Sequence, residues 1–156
     1  MEADRPGTRP VLIFACGNPS RGDDALGPAL LERLTQRQAE GGLANCDLLT
    51  DFQLQVEHAL DLVGREQVIF VDAAASGPEP CALTPVLPEP TLTYSTHAMS
   101  PGGVLRVLTQ IYPGPLPPVW LLAIRGYVFD LGQPLSRQAQ ANLDAACALI
   151  EGRVGA

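Results

Sequence analysis

The sequence predicts an α/β sandwich built on a mostly parallel sheet, and three observations carry that expectation. Short apolar, partly β-branched runs recur at residues 11–15, 68–71 and 119–124; strands buried on both faces read as such continuous stretches. Between them lie segments whose apolar residues repeat at helical spacing. No internal repeat or low-complexity tract interrupts this alternation, so residues 10–156 form one domain behind a loose, polar tail at residues 1–9.

Each element follows from its own residues. The first strand is expected at residues 10–15 and a helix at 23–38, where Leu26, Leu30 and Leu34 recur at a spacing of four. Gly41 and Gly42 close it, as glycine does beyond helix ends. A shorter strand is expected at 46–52. Val56, Ala59, Leu60 and Val63 then give helical spacing up to Gly64, with His58 on the opposite, solvated side. The run Val68–Val71 ends directly in Asp72. Prolines punctuate residues 78–90, leaving room for a short edge strand at 83–86. Ser100 as N-cap and Pro101 at the first helical position start a helix that buries Val104, Leu105, Leu108 and Ile111. A stiff proline connector at 113–118 leads to the strand at 119–124. The last helix covers 136–151, with Ala139, Leu143, Ala146, Cys147 and Ile150 on one face.

Composition narrows the function classes. The net charge of −7 argues against nucleic acid or an anionic membrane as partner. No apolar run is long enough for a membrane span, and the polar first ten residues carry no signal-peptide core. Four cysteines are scattered without a CxxC pair, which favours reduced thiols and a cytoplasmic protein.

The chemistry is expected in the turn after the first strand, Gly17-Asn18-Pro19-Ser20-Arg21-Gly22-Asp23-Asp24-Ala25-Leu26-Gly27. Glycine-rich strand–turn–helix units often cradle phosphate. This one has neither GxGxxG nor the GK[ST] ending; the chain contains no lysine, and Asp23 and Asp24 would repel an anion. A flavodoxin-like nucleotide binder is disfavoured accordingly, and a cation is the better ligand. Helix capping is the competing reading of the two aspartates. Asp72, at the end of a buried strand, should lie at the same sheet edge. His97 precedes the helix that starts at Pro101. Asp24, Asp72 and His97 together make a three-ligand set suited to a divalent transition metal. A Ser/His/Asp arrangement using Ser95 or Ser100 beside His97 is the rival, although no GxSxG elbow or HExxH is present.

These residues also carry a resemblance. Residues 11–27, with their GN…GDDxxG turn, resemble the opening of the [NiFe]-hydrogenase maturation endopeptidases. Gln53-Leu54-Gln55-Val56-Glu57, Val68-Ile-Phe-Val-Asp72-Ala73, Thr96-His97-x-x-Ser100-Pro101 and Gly126-x-x-Phe129-Asp130-x-Gly132-x-x-Leu135-Ser136 continue it in order over nearly the whole chain. The resemblance implies a three-layer α/β/α sandwich with a mainly parallel, roughly five-stranded twisted sheet. It implies metal ligation by Asp24 (where some members carry Glu), Asp72 and His97, with two mechanisms open: the metal polarises the scissile carbonyl or activates a water, or it only docks the substrate while Asp23 or Asp24 helps to activate water. It implies an endopeptidase, acting as a monomer, that removes the C-terminal extension of a hydrogenase large-subunit precursor once nickel has entered it. The nickel is expected to come with the substrate, although other divalent metals suit the same ligands. A non-enzymatic nickel-sensing chaperone is the alternative. Substrate choice is expected in residues 78–93 and 113–118.

Overall fold

The computed structural model of the protein describes residues 8–90 and 99–155. Among these residues, five strands form one sheet: β1 (Val11–Cys16), β2 (Cys46–Asp51), β3 (Gln67–Ala74), β4 (Cys81–Pro85) and β5 (Val119–Arg125), in the order β2-β1-β3-β5-β4. All neighbours pair in parallel except β4, which runs antiparallel to β5 at the edge. Among the described residues, three α-helices pack on it: α1 (Leu26–Ala39), α2 (Pro101–Ile111) and α3 (Arg137–Val154).

The period of two along each strand divides the apolar runs between two layers. Val11, Ile13 and Ala15 of β1, with Ile69 and Val71 of β3, bury under α1 and α3. Leu12, Phe14 and Cys16, with Val68 and Phe70, bury under α2 and the segment after β2. The result is the three-layer α/β/α arrangement expected.

Several expectations need correction. The helix over residues 23–38 starts as a 3₁₀ turn, Gly22–Ala25, and becomes α-helical only at Leu26. Residues Val56–Leu62 form a 3₁₀ helix rather than an α-helix. Ala59 and Leu62, three residues apart as the tighter helix requires, are its buried pair, while Val56 and Leu60 face solvent. Ile111, at the last turn of α2, is exposed rather than buried. Asp72 does not end its strand, because Ala73 and Ala74 continue to pair with Ile124 and Arg125 of β5. Arg9, assigned to the tail, is tied down: its N–H donates to Asp47 Oδ2, and its carbonyl accepts from the Arg65 guanidinium. Among the described residues, no helix is long and apolar enough to cross a membrane.

Candidate functional site

Chain direction creates the site. From β1 the chain crosses to β2 on one side, and from β2 it passes to β3 on the other side of β1. The crevice at the carboxyl ends of β1 and β3 is thus a topological switch point, where open α/β sheets bind ligands. Asp24 follows β1, and Asp72 lies near the end of β3. Both line a pocket of about 400 Å³, together with Cys16, Phe52, Leu54, Phe70 and the entrance to α2 at Met99 and Ser100.

The acidic turn needs its glycines for contact. A Cβ at Gly17, whose φ is +147°, would stand 2.1 Å from the Asp24 carbonyl oxygen, and one at Gly27 would stand 2.2 Å from that of Cys16. Only glycine lets the turn fold this closely onto the strand. Asn18 shapes the bend by accepting the Ser20 N–H at Oδ1, 2.9 Å. Its own N–H donates to Asp24 Oδ2 at 2.8 Å, fixing that carboxylate. The period of two places Asp72 on the face of Val68 and Phe70, the α2 side of the sheet, and its Oδ1 accepts from Ala73 N–H at 2.8 Å. Water reaches Asp72, but it sits in a concave, crowded place. That burial and the nearby charge of Asp24, against the Ala73 hydrogen bond, push its pKa up to about 6. A cation beside Asp72 would relieve what burial and the neighbouring charge impose on it. Burial first, then the charges of Asp72, Asp51 and Asp24, push the Cys16 thiol up to about 12, so it is an inert wall of the pocket.

Asp23 has a different place from the one expected. Its side chain is fully buried. Oδ2 accepts from Tyr127 N–H (2.7 Å), Val128 N–H (3.0 Å) and the Ser136 hydroxyl (2.8 Å), and Oδ1 from Ser136 N–H (2.7 Å). Burial alone would raise its pKa, but these donors, the Ser136 N–H foremost, outweigh it and hold the carboxyl below its ordinary value. No side chain caps the 3₁₀ turn, so Asp23 is neither a helix cap nor a residue lining the pocket. It is the clamp between the acidic turn and the loop before α3. The reciprocal bonds Asp23 N–H to Val128 O, Gly22 N–H to Gln133 O and Gly132 N–H to Ser20 O complete that clamp. The block Gly126–Ser136 singled out in the sequence is therefore the turn's backing, a role that no local pattern announced.

His97, like Ser95, lies outside the described residues. Met99, two positions beyond it, lines the pocket and donates its N–H to Leu54 O at 3.2 Å. Ser100 spends its hydroxyl on structure: Oγ accepts from Gly103 N–H at 3.0 Å and donates to Glu89. That use disfavours it as a nucleophile. Among the described residues, no three His, Cys, Asp or Glu side chains are grouped to hold a metal.

His58, expected in solvent, was missed. Its side chain is only 12% exposed, with Nε2 3.3 Å from Asp51 Oδ2. Nδ1 accepts the Gln55 N–H at 2.8 Å, and the ring packs edge-on against Phe14 with centroids 4.6 Å apart. Reciprocal bonds between Gln55 and His58, three residues apart, hold the ring in this inward position, in a pairing outside the usual capping-box residue types.

No protein-family model and no curated protein sequence matches the chain. Solved structures do. The [NiFe]-hydrogenase maturation protease HycI from Thermococcus kodakarensis KOD1 superposes with a TM-score of 0.66 at 22% identity, covering 94% of this chain and 92% of that one. The hydrogenase maturating endopeptidase HybD from E. coli gives 0.68 at 18% identity, with 92% and 91% covered. The hydrogenase 2 maturation peptidase from Thaumarchaeota archaeon SCGC_AB-539-E09 gives 0.66 at 22%, with 94% and 99% covered. At these identities the likeness establishes a shared fold over the whole domain.

Proposed function

We propose that this protein is an endopeptidase of hydrogenase maturation, removing the C-terminal extension of a nickel-loaded [NiFe]-hydrogenase large-subunit precursor. The observation that carries the reading is the pairing of Asp24 and Asp72 in one pocket at the sheet's switch point. The shared fold with maturation proteases gives that acidic pocket a reaction class.

In this reading the substrate's nickel is the cation that the carboxylate pair awaits. The two carboxylates, joined by the His97 imidazole that the resemblance implies, would make an oxygen-rich set that binds nickel or zinc more weakly than nitrogen- or sulfur-rich sites do. Weak holding suits an enzyme that must tell a loaded precursor from an empty one. Water activation falls to the carboxylates that line the pocket, Asp24 and Asp72, because Asp23 is spent on four donors. The nickel, once bound, would polarise the scissile carbonyl or dock the substrate.

Incubation with nickel-loaded and nickel-free precursors, followed by mass spectrometry, tests the reading. Loss of the C-terminal fragment from the loaded precursor alone is expected. Binding without any mass loss would leave a nickel-sensing chaperone instead. About one tightly held metal per purified chain after mild chelation, required for cleavage, would refute substrate-supplied nickel.

A further inference from the structure

The 3₁₀ segment beside the pocket holds a histidine inward and leaves two of its large apolar side chains in solvent. Its imidazole points inward: His58 is held between Asp51, the Gln55 N–H and the Phe14 ring. Two of its large apolar side chains, Val56 at 55% and Leu60 at 52%, are exposed, as is Phe52 at 63% just before it, while Leu62 is buried. Three such residues within nine positions, interleaved with the exposed polar residues Gln53, Gln55 and Glu57, form an apolar ridge with a polar rim. Exposed apolar patches rimmed by polar groups mark protein-binding surfaces.

The ridge is also stiff. Ala59 and Leu62 anchor it in the core on the α2 side of the sheet, and the reciprocal Gln55–His58 bonds fix its start. A surface ordered in advance loses little conformational freedom when a partner covers it. It is continuous with the site, since Phe52 at its near end lines the pocket. Its charge is one-signed: Asp51, Glu57 and Asp61 lie along it, and no arginine occurs between Asp51 and Arg65.

We infer that Val56 and Leu60, with Glu57 beside them, form the docking surface for the folded body of the protein substrate, which presents an apolar patch flanked by arginine or lysine. The inference rests on the peptidase reading for the identity of that substrate. A macromolecule whose tail enters the pocket past Phe52 would meet this ridge next to the entrance, and apolar contact with charge complementarity would then set affinity and encounter rate.

The test uses the double variant Val56→Ser/Leu60→Ser and, separately, Glu57→Arg, each checked for a native melting curve. Binding of the nickel-loaded precursor is measured by calorimetry, and cleavage by single-turnover kinetics. The expected result is at least a tenfold weaker Kd and higher KM for the double variant, and a smaller, salt-dependent weakening for Glu57→Arg. The cleavage rate at saturating precursor should stay unchanged. Unchanged Kd and KM in the double variant would overturn the docking surface while leaving the peptidase reading intact. Tight wild-type binding that the variant loses, without cleavage by either, would sustain the docking surface and defeat the peptidase reading. Concentration-dependent dimerisation of the wild type, abolished by the double variant, would assign the ridge to a second copy of this chain and overturn the inference.

Discussion

Replacing Asp23 with alanine should loosen the scaffold behind the acidic turn rather than trim a helix end. The substitution strips the acceptor from three backbone N–H groups, those of Tyr127, Val128 and Ser136, and from the Ser136 hydroxyl. Each buried donor left without a partner costs about 1–3 kcal/mol, and water entering the gap recovers part of this, so a net loss of about 4 kcal/mol is expected. A helix cap would cost only about 1 kcal/mol. Equilibrium urea unfolding at pH 7 reads the difference: with an m-value of about 2 kcal/mol/M, the midpoint falls by roughly 2 M. The donors hold the folded-state pKa of this carboxyl below its ordinary value of 3.8. The ionised group's contribution is therefore complete above that value and is lost as pH falls through the lowered pKa. The gap between wild type and variant should stay constant from about pH 8 to 5 and narrow only in stronger acid. A loss of about 1 kcal/mol or less would refute the clamp and restore the capping role.

Asp72→Asn should act in the opposite sense. A rise from 3.8 to about 6 corresponds to about 3 kcal/mol in a dry site, reduced to about 1 kcal/mol by the water that reaches this carboxylate. A raised folded-state pKa means that stability is full below the unfolded value and lost as pH rises through about 6. The variant should therefore melt higher than wild type at pH 7.5 and equally at pH 3.5; a lower melting point at pH 7.5 would contradict this. Gly27→Ala forces a methyl to 2.2 Å from the Cys16 carbonyl oxygen, so it should cost about 3 kcal/mol or more, measured by the same urea titration. A near-neutral result would show that the turn does not need its close approach to β1.

Much of the fold was legible because the apolar runs are long and uninterrupted. Val11–Ala15 and Val68–Val71 have few alternatives to buried strands, and the N-cap pattern at Ser100-Pro101 fixes the start of α2. The region around Val56 was not legible, because Val56, Ala59, Leu60 and Val63 fit an α-helical period while Ala59 and Leu62 fit a 3₁₀ one. The second period buries Ala59 and Leu62 and leaves Leu60 outside, Val56 is exposed at the segment's first position, and His58 is turned in by the Gln55 N–H and Asp51. Asp24 and Asp72 were readable as a pair because each adjoins a strand of the same sheet. Asp23 was not separable from its neighbour, since its partners Tyr127, Val128 and Ser136 lie more than a hundred residues away. Only the tertiary clamp decides which of two adjacent aspartates faces the pocket.

Asp24 carries the proposed chemistry more than any other residue, and a single comparison tests its role. Wild type and Asp24→Ala, each with a confirmed native melting curve, are incubated with the same nickel-loaded precursor, and the precursor's mass is followed with time. Wild type should release the C-terminal fragment, and Asp24→Ala should leave the precursor intact. Release by Asp24→Ala at the wild-type rate would show that the carboxylate pair at the switch point is not the site of this chemistry.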